Sequence, residues 1–329
     1  MKKRILTMFA AYFCLTACFC SFGAAQAMEN AGEAKPLAVI ATAFPGYDFA
    51  REITGTDAGV RLLLPPGGES HSYEPTPQDI IAIQNADLLL TVGGESEHWL
   101  KAVLASMGDH APRVFAMLDH VTALAEEQSL SMQAEEAHAH EGHTHEDGVC
   151  HHPEAMDEHV WTSPKNARLI VQGLTELLAE IQPAQESAYR ANAGAYLAEL
   201  DALDATLEET VQSGLRRKII FGDRFPFRYF AHDYGLAYDA AFPGCSEDSE
   251  PSAQTVVSLI REISRENIPV VFYIEFSSRK TADILVEETR AKPLLMHSCH
   301  NVSAEELTNG TTYLSLMWAN VAALKEALN

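Results

Sequence analysis

Residues 184–213 run through Ala, Leu and Glu with no internal proline and a single interior glycine, Gly194. Strong helix formers in that density predict one long helix. Such a helix divides the chain into two bodies. On each side of it, short β-branched or aliphatic runs alternate with amphipathic stretches, the pattern of βα units built on a mainly parallel sheet. Strands are expected at 37–43, 60–64, 87–92 and 113–116 before the helix, and at 218–221, 237–242, 269–274 and 293–297 after it. Helical segments at 77–85, 252–266 and 281–289 fall between strands. A final helix at 313–328 repeats apolar residues at helical spacing through Leu316, Met317, Val321 and Leu324 and should pack on the second sheet. The expected fold class is therefore α/β: two (β/α) lobes, 37–182 and 215–329, joined by one long rigid α-helix.

The first residues combine a basic start, Lys2, Lys3 and Arg4, with a short apolar run, the form of an export signal. Two cleavage sites compete. Leu15-Thr16-Ala17-Cys18 is a lipoprotein box and is preferred; Ala25-Gln26-Ala27 suits ordinary signal peptidase. Cleavage at the first gives a signal peptide of residues 1–17, a lipidated Cys18 and a tether to residue 36. No later stretch approaches the ~18 uninterrupted apolar residues that span a bilayer, so transport itself must fall to a membrane partner.

With 47% hydrophobic and 21% charged residues in 329, the chain can bury two cores of ordinary size. A formal charge of −23 argues against nucleic acid as a partner, since phosphate contacts need Lys and Arg. Acidity serves solubility, and the same field attracts cations. Beyond the signal region only Cys150, Cys245 and Cys299 remain. In an oxidising compartment a Cys245–Cys299 disulfide with one spare thiol is expected, thiolate ligation of a metal being the alternative.

Residues 126–156 lack periodicity and should form a surface loop. They carry His138, His140, His143, His145, His151 and His152, interleaved with Glu141, Glu146, Asp147 and Cys150. Imidazole and thiolate suit zinc. Ordering a loop around an ion costs conformational entropy at each residue fixed, so the loop fits loading or sensing better than tight binding. A tighter site needs ligands on ordered backbone. His71 lies just beyond a predicted strand end, where open α/β sheets bind ligands, and His159 directly precedes a helix that Ser163 and Pro164 begin.

HSYEPTP at 71–77 and DEHVWTSP at 157–164 flank this histidine-rich loop. YFAHDYGL at 229–236, SEDSEPSAQT at 246–255 and TYLSLMWAN at 312–320 follow in order. Across nearly the whole mature chain this resembles the metal-specific, cluster A-I solute-binding proteins of ABC importers. The resemblance implies two α/β lobes with the ion held at their interface by His and carboxylate groups. By motif match His71 and His159 take the first two ligand positions. The family's third position, a His or Glu, falls on Arg224, which cannot ligate a cation; either a one-residue shift offers Asp223 instead, or Arg224 pairs with an acid and this segment leaves the metal unbound. The fourth, usually Asp or Glu, falls near His297 and His300, with His297 preferred. Glu275 and Glu74 are placed behind the ligands. Neutral imidazoles are required, so affinity should fall below about pH 6.5.

The expected function is capture of a transition metal ion outside the cytoplasm, Zn2+ ahead of Mn2+, and its delivery to an ABC permease by a monomer at the outer face of the membrane. An extracellular zinc buffer or sensor, or an adhesin using the same site, is the alternative. An enzyme is not expected: HExxH, GxSxG and GxxxxGKS patterns are all absent. Capture should involve local rearrangement around His71 and the loop rather than a wide hinge.

Overall fold

A computed structural model of the chain describes residues 36–55, 58–69, 72–127, 129, 131, 156–246 and 250–329. The signal peptide, Cys18, the tether to residue 35, His71, the six loop histidines and Cys150 lie outside the described residues.

The first lobe contains β1 (Ala38–Ala41), α1 (Phe44–Thr54), β2 (Gly59–Leu62), α2 (Pro77–Gln84), β3 (Leu88–Thr91), α3 (His98–Met107), β4 (Arg113–Ala116) and α4 (Pro164–Ile181). The connecting helix α5 spans Glu186–Ser213. The second lobe contains β5 (Lys218–Arg224), α6 (Arg228–Tyr234), β6 (Ala237–Phe242), α7 (Ala253–Glu266), β7 (Val270–Tyr273), α8 (Lys280–Glu287), β8 (Lys292–Leu295), α9 (Ala304–Thr308) and α10 (Tyr313–Leu328). Strand order is β2-β1-β3-β4 in one sheet and β6-β5-β7-β8 in the other, every pairing parallel. The two lobes thus repeat one doubly wound topology, with switch points between β1 and β3 and between β5 and β7. Ligand crevices form at such points, beyond the carboxyl ends of the strands.

Strand alternation explains how each sheet is covered. In β1, Val39 and Ala41 face the main core, whereas Ile40 faces a smaller cluster with Leu89 of β3, Ile83 of the outer helix α2 and Leu100 of α3. In β5 and β7, Ile219, Phe221, Val270 and Phe272 face the main core. Ile220 and Val271 face Leu259, Ile263, Ala282 and Leu285 of α7 and α8. Successive side chains on a strand point to opposite faces, and both faces here are apolar, which is why these strands read as near-continuous hydrophobic runs.

The inner faces meet along α5. Its buried residues Tyr189, Ala193, Tyr196, Leu200, Leu203, Leu207 and Val211 recur every three or four positions and form one stripe. That stripe packs against α1, α4 and α10, so apolar residues of both lobes belong to one continuous core. The Trp161 indole donates to Ser298 O at 2.8 Å and the Tyr313 hydroxyl to Trp161 O at 2.7 Å, fastening the lobes where that core reaches the crevice.

Candidate metal centre

A pocket of about 130 Å³ opens at the switch point of the second sheet, lined among others by Glu69, His159, Arg224, Glu275 and His300. His159 follows the acidic pair Asp157-Glu158 at the entry to a single 3-10 turn, Val160–Thr162. Asp157 Oδ1 accepts from the His159 backbone N–H at 2.8 Å and lies 3.1 Å from ring Nδ1. A carboxylate on Nδ1 fixes the tautomer and leaves Nε2 as the lone-pair nitrogen, the arrangement found behind metal-bound histidines. Burial alone would depress the His159 pKa. The Asp157 charge and hydrogen bond, together with Cys245 beside the ring, outweigh it and hold that pKa well above the usual value. Glu158 is turned the other way, accepting from the Ser96 backbone N–H at 2.8 Å and from its hydroxyl. Gly94 makes room for it, since a Cβ there would fall 2.2 Å from the Glu158 carboxyl carbon.

His300 comes from the segment after β8. Its ring lies 5.5 Å from that of His159, nearly perpendicular at 86°, and 5.1 Å from Trp161. Cys299 just before it has φ 61°, a left-handed conformation that a non-glycine residue adopts only when its surroundings impose it. Here the Cys299 N–H donates to His297 Nδ1 at 2.9 Å, and the His300 N–H to Ser298 Oγ at 3.2 Å. This turn brings His300 to the pocket and leaves His297 outside its lining. His297 is buried, 3.6 Å from Glu275, and its Nε2 has no hydrogen-bond partner.

Asp223 does not line this pocket. The register shifts between Phe221 and Arg224, and Asp223 turns to accept from the Arg224 and Ile274 backbone N–H groups at 2.8 and 3.2 Å, beside a separate cavity with Ser277 and Lys280. Glu74 is exposed and lies outside the lining; the polar anchor of its segment is Asp79, which accepts from Tyr73, Thr76 and Arg61. Cys245 and Cys299 form no disulfide: both are thiols. Cys245 sits beside His159, whereas Cys299 is fully buried near Glu275 and Asp48, and burial pushes its pKa well up. Glu275 does reach the pocket, held by the Ser298 backbone N–H at 2.7 Å and the Ser298 hydroxyl.

Three contributors carried no assigned role in the sequence. Asp157 orients His159. Glu69 pairs with Arg224, Oε2 to Nη2 at 2.9 Å. The Asn301 amide donates to Pro65 O at 2.7 Å and Gly68 O at 2.9 Å. Only Asp157 left a signal, a carboxylate two residues before a histidine. Among the described residues no three His, Cys, Asp or Glu side chains are gathered closely enough to hold an ion. The described wall therefore offers two imidazoles, with Glu69 and Glu275 engaged nearby.

Comparison with known proteins agrees with this architecture. The high-affinity zinc uptake system protein ZnuA of Bacillus subtilis is 31% identical over 320 residues, 96% of each chain. Zinc-binding protein AdcA of Streptococcus pyogenes is 28% identical over 332 residues, and this chain spans 61% of its length. The crystal structure of the Zn(II)-bound ZnuA-like domain of Streptococcus pneumoniae AdcA superposes with a TM-score of 0.71 at 25% identity, covering 89% of this chain and 99% of that one. The family model described as zinc-uptake complex component A, periplasmic, matches residues 39–327, and the chain belongs to that family.

Proposed function

We propose that this protein captures Zn2+ outside the cytoplasm and delivers it to an ABC permease. The observation that carries the reading is the meeting of His159 from the first lobe and His300 from the second on one pocket wall, with Asp157 fixing the His159 tautomer. Imidazole nitrogen is a preferred zinc donor, whereas manganese favours oxygen-rich shells. His71 supplies a further ligand on this reading, by its place in the HSYEPTP motif. The loop histidines His138 to His152 collect zinc and pass it inward. The protein acts as a monomer, catalyses no reaction and is held at the membrane through Cys18. No helix among the described residues is long and apolar enough to cross a membrane, in keeping with a separate permease. Zinc titration calorimetry on the exported chain tests the assignment. A deletion of residues 138–152 keeps one tight site, whereas His159→Ala with His300→Ala weakens it by at least about 100-fold. Loss of tight binding in the loop deletion alone would point to a buffer or sensor.

A further inference from the structure

Among the described residues four other than glycine hold a positive φ, and three of them, Phe276, Arg279 and Cys299, lie in the loops that follow β7 and β8. Phe276 is the bulkiest, at φ 58°, a region that a large side chain enters only when its surroundings impose it. Both flanks supply that constraint. Glu275 before it is held by the Ser298 backbone N–H and hydroxyl. Ser277 after it accepts from the Arg279 N–H at 3.2 Å, and the Arg279 guanidinium lies 4.4 Å over the Tyr273 ring. The Phe276 side chain so held is 53% exposed, and apolar surface left in water is unfavourable in its own right. Strain of this kind gathers at functional sites, and the ring stands at one. Phe276 lines the same pocket as His159 and His300. A Cβ built on Gly67, on the first lobe's side of that pocket, would fall 3.9 Å from Phe276 Cε1, so the ring reaches across from the second lobe. It also lines a neighbouring cavity of about 230 Å³ with Asp223, Arg279 and Lys280, and thus stands between the two.

We propose that Phe276 is the shield of the zinc pocket: its ring covers the mouth, keeps bulk water from the captured ion and sets how fast zinc enters and leaves. An apolar shell around a metal site controls solvent access and the dielectric in which the ligands act. A phenyl ring has no lone pair to give, so this role is separate from ligation. With the ring in place, exchange waits for rotation about the Phe276 side-chain bonds. Without it, the pocket and the neighbouring cavity open into one another. The inference rests on the zinc-capture reading of this pocket and adds to it the residue that governs exchange.

Stopped-flow release of zinc from the full exported chain to a chromogenic chelator, measured beside the rate of capture and the equilibrium affinity, tests the shield. Phe276→Ala should speed release by at least about 10-fold and speed capture with it. The equilibrium affinity should stay nearly unchanged, because no ligand is lost. Phe276→Leu keeps apolar bulk at the mouth and should exchange at close to the wild-type rate. If the ring were only a prop for the loop that holds Glu275 against Ser298, Phe276→Ala would weaken equilibrium binding and leave capture as it was. That result, wild-type rates in Phe276→Ala, or Phe276→Leu as fast as Phe276→Ala would overturn the shield while leaving the pocket assignment intact. Tight zinc that survives His159→Ala with His300→Ala would overturn the pocket assignment and this inference with it.

Discussion

Asp48 shows how one buried residue links pH to stability. It lies on α1, fully buried where α1, α5 and α10 meet. One oxygen accepts from the Tyr313 backbone N–H at 2.8 Å; the other, Oδ1, is buried without a partner, as is the Tyr196 hydroxyl. Burial pushes the Asp48 carboxyl up to about 7, and Glu52 adds to this, against the lowering effect of the Tyr313 N–H and Arg51. A carboxyl whose pKa is higher folded than unfolded binds more protons in the folded state. Stability is therefore lost as pH rises from the ordinary carboxylate range through about 7, by up to roughly 4 kcal/mol. Asn mimics the protonated acid. Thermal melting of Asp48→Asn should match the wild type at pH 5 and lie several degrees above it at pH 8; a lower melting point at both would mean that the ionised form is the stabilising one. At the same scale, the sequence marks His159 by its motif, whereas which of His297 and His300 reaches the pocket depends on the left-handed backbone at Cys299. No propensity marks such a position in a cysteine.

Among elements, α5 was readable because nothing in its sequence interrupts it, and the helix runs through Gly194 without a break. A Cβ added at Gly194 would meet nothing within 4 Å. Gly194→Ala should thus stabilise the protein by about 1 kcal/mol through the unfolded chain's lost freedom, with zinc affinity unchanged; denaturant unfolding showing a loss would contradict the open surroundings of that position. The eight strands were equally readable, since both faces of each sheet are covered and the strands carry dense aliphatic runs. The end of β5 was not. Gly222, Asp223 and Arg224 are polar or small and read as a loop, yet they continue the strand, and the register shift within them decides that Asp223 faces Ile274 while Arg224 faces the pocket. The helix α3 also went unread.

For the whole molecule, the repeated topology places two switch points face to face, and one core continuous through α5 holds them there. A ligand can shift an equilibrium only between states it binds differently, and a shared core of this extent leaves little room for a second arrangement of the lobes. Solution scattering with and without one equivalent of zinc should give superimposable curves, whereas a marked contraction on loading would reveal a hinge. The net charge of −23 draws cations toward the crevice, an attraction that salt screens. The central claim is that one zinc ion is captured between the lobes. It is tested most directly by the anomalous scattering of zinc in crystals loaded with a single equivalent. The account predicts one strong peak between the imidazoles of His159 and His300; a peak elsewhere, with that pocket empty, would contradict it.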